Sequence, residues 1–406
     1  CYNIGYCLTS LVGLSYSPFC RVSVLSMTTA TRLDLLILYN GNTAWSAASN
    51  AKPPFPLKSI NNPCNIAYSY FLDYCRSIGF NAGFSTSNDI IGPGLCSSYW
   101  IYQGNTWQKV NKPCHSNVIY DKFSPKNEAD LSRQSLFFSR GIKRYNSEQI
   151  SQIFFDKNKT HSSLLSHTIP TVAITRPTLS AIKLATTLLT GLAKSGTLAG
   201  DFGHDFILKD RYGAGGWHVY KISRVNSTKE IQKVMHANQK TSFILQPFAL
   251  FDCGFVYDNA AVPTDIRMIY LGGQFLFSYL RYPKTGDFRC NDHQGGSLVY
   301  IKEKEIPPII KVKADLISGS LKNTALIALD FIVTNAGTPY LIEGNTGPGL
   351  SWDVNNKADV FMSKKLIRGI VNQLAGRISV SKTNSYNNST RPNRYTPTAL
   401  SILQSV

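Results

Sequence analysis

The stretch 325–345, "ALIALDFIVTNAGTPYLIEGN", constrains the fold more than any other. Two apolar runs flank a turn centred on Ala336-Gly337, which is the pattern of a β-hairpin. With that centre Asp330 falls opposite Glu343. Side chains alternate along a strand, so Glu343 and Asn345 share the face that Asp330 uses. Two carboxylates and an amide oxygen on one face repel one another unless a cation lies among them. Hard oxygens with positions left open suit Mg²⁺. The plain alternative is a solvated acidic strand end, and a one-residue bulge would break the register.

Four other segments bear on which reading holds. "FILKDRYGAGGWHVYKI" is a strand, a glycine-rich turn (Gly213, Gly215, Gly216) and a second strand. Glycines let backbone N–H groups approach phosphate oxygens, and Lys209 adds positive charge. No GK[ST] follows, so this is not a Walker A loop, and alone it reads as an ordinary hairpin. "FFDKNKTHSSLL" sets Lys157 and Lys159 just before a helix. "FILQPFAL" carries Gln246, Phe248 and Ala249 on a strand whose backbone suits an adenine edge or a plain core. "DIRMIYLGGQFLFSYLRYPKTGDFRCNDHQGGSL" gathers Arg267, Arg281, Lys284, Arg289, Asn291 and His293 around a hairpin over Gly272-Gly273. Arginine's fork of donors matches phosphate or carboxylate. Arg289 and Asn291, two apart, face one transferring group; the alternative is a basic surface hairpin.

Composition narrows the classes. The 406 residues are 43% hydrophobic, enough for a sizeable core and two or three domains. The net charge is +18, and residues 27–378 keep +14 of it, so the basic character belongs to the fold and predicts anionic partners. Nine cysteines without a CxxC pair argue against a zinc ribbon, and an odd count suits a reducing, cytoplasmic setting. No apolar run is long enough for a membrane span. Residues 1–26 begin with Cys1 and lack a basic n-region, so they read as an over-extended or disordered leader, with a poor secretion signal as the rival. Residues 27–150 read as a small α/β domain: strand 33–40, helix 66–79 closed by Gly79, a hairpin at 97–110 turning on Gly104-Asn105, and strand 117–123. Helix 178–195 sets Leu179, Ile182, Leu188, Leu189 and Leu192 near one face. Residues 379–406 read as a disordered tail.

In this order the segments resemble the ATP-grasp superfamily. They are most similar to its carboxylate–amine ligases, such as prokaryotic glutathione synthetase and the ribosomal-protein glutamate ligase group. The resemblance covers roughly 151–375 and rests mainly on "DIR…GG…R.PK.GDFR.N.H.GG" followed by "LDF…YLIEGNTGPGL". It implies an α/β (α+β) chain: a Rossmann-like N-terminal domain, then two ATP-grasp lobes, 151–247 and 248–378, with ATP between them. It further implies that Lys157 and Lys209 contact ATP phosphates, that the loop of Gly213, Gly215 and Gly216 closes over them, and that Gln246, Phe248 and Ala249 line adenine. Pro247 stands where the family's hinge often carries Glu. Asp330, Glu343 and Asn345 match the Mg²⁺ ligands (Mn²⁺ being an alternative ion), and Arg267, Arg289 and Asn291 match catalytic positions near the transferring phosphoryl.

The activity so implied is ATP-dependent amide or peptide-bond formation through an acyl-phosphate. The partners are ATP, a carboxylate substrate and an amine, either an amino acid or an acidic peptide or protein. No membrane partner is expected, and an oligomer is allowed. A small-molecule kinase on the same fold is the first rival, and a nucleic-acid-binding protein the second. The segment "GDFRCNDHQGG" lacks the aromatic interleaving of a single-strand platform, which argues against the latter. Asp330→Ala and Glu343→Ala are each expected to abolish turnover while the fold survives.

Overall fold

Alternating and glycine-punctuated segments become five sheets in the computed structural model, which describes residues 30–56, 62–125, 127–194, 200–258, 260–290, 295–321 and 325–389. The leader 1–26 and the last part of the tail lie outside the described residues. The chain divides into two compact units. The described part of Cys1–Asn62 joins Cys75–Lys143 in the first, and Pro63–Tyr74 joins the described part of Arg144–Val406 in the second.

In the first unit, β1 (Leu35–Tyr39) lies parallel to both β2 (Ala82–Thr86) and β5 (Val118–Lys122). Between β1 and β2 along the chain comes helix α1 (Asn62–Ser77), whose residues Pro63–Tyr74 belong to the second unit; it ends before Gly79, whose φ of 83° only glycine adopts readily. β3 (Tyr99–Gln103) and β4 (Thr106–Val110) form the expected hairpin, with Gly104 and Asn105 at φ 59° and 58°, both left-handed as a type I′ turn demands. Five of this sheet's six strands thus run in the order β5-β1-β2-β3-β4, the parallel pairs fully buried, as Leu36, Ile37 and Leu38 show. Helix α2 (Glu128–Phe137) is capped by Asn127, whose side chain accepts from the Asp130 N–H at 2.9 Å.

The second unit opens with two short helices, α3 (Glu148–Phe155) and α4 (Lys157–Ser163), and then builds two lobes. The first lobe is an antiparallel sheet of β6 (Val172–Ile174), β7 (Phe202–Asp210), β8 (Val219–Ile222) and β9 (Phe243–Ala249), in the order β6-β9-β7-β8. Helices α5 (Leu179–Lys194) and α6 (Ser227–Ala237) cover it, burying Ile182, Leu189, Ile231 and Met235 against Phe206, Leu208 and Leu245. The buried stripe of α5 is Ile182, Ala185, Thr186 and Leu189. This corrects the expected face, because Leu179, Leu188 and Leu192 are about half exposed.

The second lobe is a five-stranded antiparallel sheet of β10 (Asp265–Leu271), β11 (Gln274–Tyr282), β12 (Ser297–Ile301), β13 (Leu326–Val333) and β14 (Pro339–Asn345), in the order β12-β11-β10-β13-β14. Its core takes Ile310, Ala314 and Ile317 from α7 (Pro308–Ser320) and Ile150 and Phe154 from α3. The last helix, α8 (Lys357–Ser389), runs well into the stretch that composition reads as tail. Asp201 ties the lobes at one end. Its carboxylate accepts from the Thr334 and Tyr340 hydroxyls, at 2.5 and 2.8 Å, and its carbonyl from the Leu250 N–H.

Candidate active site

The register of the second lobe decides which charges meet on the sheet face turned to the first lobe. On β10, Asp265 lies opposite Arg281 of β11, and Arg267 lies opposite Asp330 of β13. Asp330 in turn faces Glu343 of β14. The row therefore reads Arg281, Asp265, Arg267, Asp330, Glu343, alternating in sign until two carboxylates meet at its end. Arg267 grips Asp330 through Nε at 2.6 Å and Nη2 at 2.5 Å. Arg281 grips Asp265 in the same way, at 2.6 and 2.9 Å, and its Nη2 also donates to Asp330 Oδ2 at 2.8 Å.

Asp330 is wholly buried, which alone would raise its pKa; two guanidiniums outweigh the burial and hold it below the usual carboxylate range. For Asp265 burial wins over Arg281, and with Asp330 close by it is pushed up to about 6. Stranding a charge in such a network costs about 3–5 kcal/mol. The expectation that Asp330→Ala spares the fold is therefore revised, since the substitution leaves Arg267 and Arg281 facing no Asp330 carboxylate.

Strict alternation would put Leu341 and Glu343 on one face. Instead Phe331 pairs with Leu341 and Asp330 with Glu343, so Ile342 is a bulge. Leu341 enters the helix-side core, while Ile342 and Glu343 both reach the cleft. The turn centres on Ala336, half a step from where the sequence sets it, and the bulge restores the Asp330–Glu343 pairing. The Ile342 carbonyl accepts from Lys209 Nζ at 3.4 Å.

Lys209 sits near the end of β7, between Val219 and Ile244 in the ladder. It is buried, and that burial, with Lys157 nearby, lowers its pKa to about 7 against the upward pull of Glu343. Lys157 is the first residue of α4. The cap of that helix, Asp156, accepts from the Asn158 N–H at 3.0 Å and is locked by two Arg211 bonds at 2.7 Å. Lys157 Nζ donates to the Gly213 carbonyl and lies 3.7 Å from Glu343 Oε1, so one amine touches both the glycine loop and the end of the charged row. Lys159, the other lysine considered, is exposed. In the loop, Gly215, Gly216 and His218 have φ of 68°, 75° and 52°. A Cβ on Gly213 would stand 2.8 Å from that of Asp210.

These elements enclose a cleft of about 880 Å³ out to its mouth. Its wall includes Lys157, Lys209, Gly213 and Gly216 on one side and Arg289, Asp330 and Glu343 on another, with Gln246, Phe248 and Ala249 of β9 between them. Gly215, Arg267 and Asn345 are not on that wall; Arg267 stands behind Asp330, and Asn345 pairs with Ala328 two residues along the ladder. Asn291 and His293 lie outside the described residues. Arg289 is held by Asp287 through Nη2 at 2.8 Å, and that hydrogen-bonded arginine brings the Asp287 pKa down to about 2. Sequence reasoning gave no role to Arg281, Asp265, Phe288 or Trp217, all of which line the cleft. Arg281 lay in the arginine-rich segment, but a bulge near Ile269 and Tyr270 is what brings it opposite Asp265.

The RimK-like ATP-grasp domain matches residues 156–370, more than half of the chain. Curated relatives include a probable alpha-L-glutamate ligase of Legionella pneumophila, 30% identical over 173 residues, which cover 43% of this chain and 48% of that protein. The chain thus spans about half the length of such relatives. Among solved structures, D-alanyl-alanine synthetase A from Vibrio cholerae aligns over 86% of this chain and 99% of its own, with a TM-score of 0.53 at 15% identity. A RiPP-associated ATP-grasp ligase of Chryseobacterium gregarium, in complex with ADP and a leader and core peptide, aligns over 86% and 97% with a TM-score of 0.52 at 10% identity. At such identities the likeness speaks to fold alone. The family match and the two-lobed architecture agree: the chain belongs to the RimK-like ATP-grasp family.

Proposed function

We propose that the protein is an ATP-dependent carboxylate–amine ligase. A substrate carboxylate takes the terminal phosphoryl of ATP, releasing ADP, and an amine then displaces phosphate from the acyl-phosphate to leave an amide. The observation that carries this reading is the convergence in one cleft of two lysines, two arginines and an opposed carboxylate pair. Among the described residues buried Lys209 has one long hydrogen bond, and its pKa is depressed, so an incoming phosphate restores its charge and supplies an anionic partner. Lys157 holds the glycine loop beside the same phosphates. Phe248, Ala249, Ile169 and Ile207 give an apolar wall suited to adenine.

The donor set fits Mg²⁺. Asp330 and Glu343 are hard-oxygen groups directly opposed, and the only amine paired with Glu343 among the described residues stands 3.7 Å away. Asp330 Oδ1 accepts a single hydrogen bond, which leaves it a lone pair. Asn345 continues the oxygen set along β14. When bound there, the ion neutralises phosphate charge and orients the triphosphate. The chain's own cations do the rest: Arg281 and Arg289 face the charge that develops on the transferred phosphoryl, and no nucleophilic side chain is needed. Cys290, whose buried thiol is shifted well upward, takes no part.

Names of relatives guide the substrate class. A relative described as a probable alpha-L-glutamate ligase supports an amino acid or peptide acceptor, and the basic body favours an acidic one. The test is ADP release with amino acids and short acidic peptides, followed by product mass. Amine-dependent ADP release with a condensed product supports the ligase. ADP release that ignores the amine and yields a phosphorylated product would assign a kinase instead.

A further inference from the structure

We infer that Asp265 is a positioning residue whose carboxylate aims the Arg281 guanidinium into the cleft. The inference rests on the ligase reading above, because it concerns the group that Arg281 meets there. Arginine carries one donor at Nε and a pair at each Nη. In Arg281, Nε goes to Asp265 Oδ1, and Nη2 is shared between Asp265 Oδ2 and Asp330 Oδ2. Nη1 donates to nothing among the described residues, although the side chain is only 5% exposed and lines the cleft. Nη1 is not sealed from the cleft, so its two N–H groups are open to a ligand oxygen that enters there. The oxygen that the reaction offers belongs to a phosphoryl or acyl-phosphate group.

Direction comes from Asp265. A guanidinium is planar, so pinning the Nε–Nη2 edge at two points fixes where Nη1 points. Asp265 makes that two-point contact. Asp330 touches a single nitrogen and would let the plane swing. Asp265 shares the cleft wall, but both of its oxygens are committed to Arg281. Its place opposite Arg281 depends on the β10–β11 bulge, because an unbroken ladder from the turn would set Asp265 against Leu280.

The test is a kinetic cycle on the full chain with Asp265→Asn, Asp265→Glu, Arg281→Ala and Asp265→Asn/Arg281→Ala. Misaiming a charge-stabilising donor is expected to lower kcat by about 10- to 100-fold, while KM for ATP moves less than about threefold. The double variant should be no slower than Arg281→Ala alone, since Asp265 has nothing left to aim. Multiplying losses would overturn the inference, as would wild-type kcat in Asp265→Glu, which keeps the charge but displaces the guanidinium. Asp265→Glu decides the matter should Asp265→Asn fail to fold. Failure of the ligase reading looks different: the wild type would then form no amide with any acceptor, whereas the cycle reads any phosphoryl transfer that remains.

Discussion

Replacing Lys209 by methionine should make the nucleotide-free protein more stable, and by an amount that depends on pH in a defined sense. The buried amine has its pKa lowered from 10.5 to about 7, chiefly by desolvation. That change corresponds to about 5 kcal/mol against the charged form. Below pH 7 the amine is charged in both folded and unfolded chains, so the whole penalty falls on the folded state. Between pH 7 and 10.5 the unfolded chain holds one proton more, so wild-type stability rises with pH and the penalty fades. Lys209→Met removes the penalty at every pH. Its advantage over wild type should therefore be about 5 kcal/mol at pH 6 and smaller by about 1.4 kcal/mol at pH 8. Urea unfolding of both proteins at the two pH values, without nucleotide, reads the difference directly. An advantage that is absent, or that grows toward pH 8, would refute the idea that Lys209 is a desolvated amine awaiting an anion. Adding Mg-ATP should reverse the ranking, because wild type gains an anionic partner and the variant does not.

Other substitutions separate site from scaffold. Glu343→Gln should leave the melting temperature near wild type and abolish Mg-ATP turnover, because among the described residues the 3.7 Å contact with Lys157 is the one ion pair of Glu343. Asp330→Ala should lower stability by about 3–5 kcal/mol in chemical denaturation, because two guanidiniums lose a shared carboxylate. Arg289→Ala should cost at most about 1 kcal/mol of folding, as a partly exposed pair with Asp287, while ATP binding stays measurable and product disappears. Gly344→Ala should destabilise by about 1–3 kcal/mol in thermal melts, because the new methyl would run into the Phe154 ring.

How far the sequence carries depends on what interrupts its periodicities. The hairpins were legible because their turns are written in glycine and asparagine, as at Gly104-Asn105 and Gly272-Gly273. The cleft's lysines, glycine loop and β9 wall followed from the order of segments. What stayed hidden were the irregularities. A bulge leaves no mark in a hydrophobic pattern, so the partner of Asp265 could not be read, and Arg281 went without a role. Arg267 looked like a ligand-facing group because nothing in its neighbourhood names Asp330 as a two-point partner 63 positions away. On α5, leucine count pointed to the wrong stripe: Ala185 and Thr186 are small enough to lie against the sheet, and the bulkier leucines stay outside.

The bulge at Ile342 also says something about which length changes this protein can absorb. Loss of that single residue would restore an unbroken two-residue rhythm from Pro339 to Asn345 and still leave Glu343 across from Asp330. A comparison of backbone pairing alone would score such a deletion as silent. Its damage would fall on the first lobe instead, where Lys209 would lose the carbonyl it leans on.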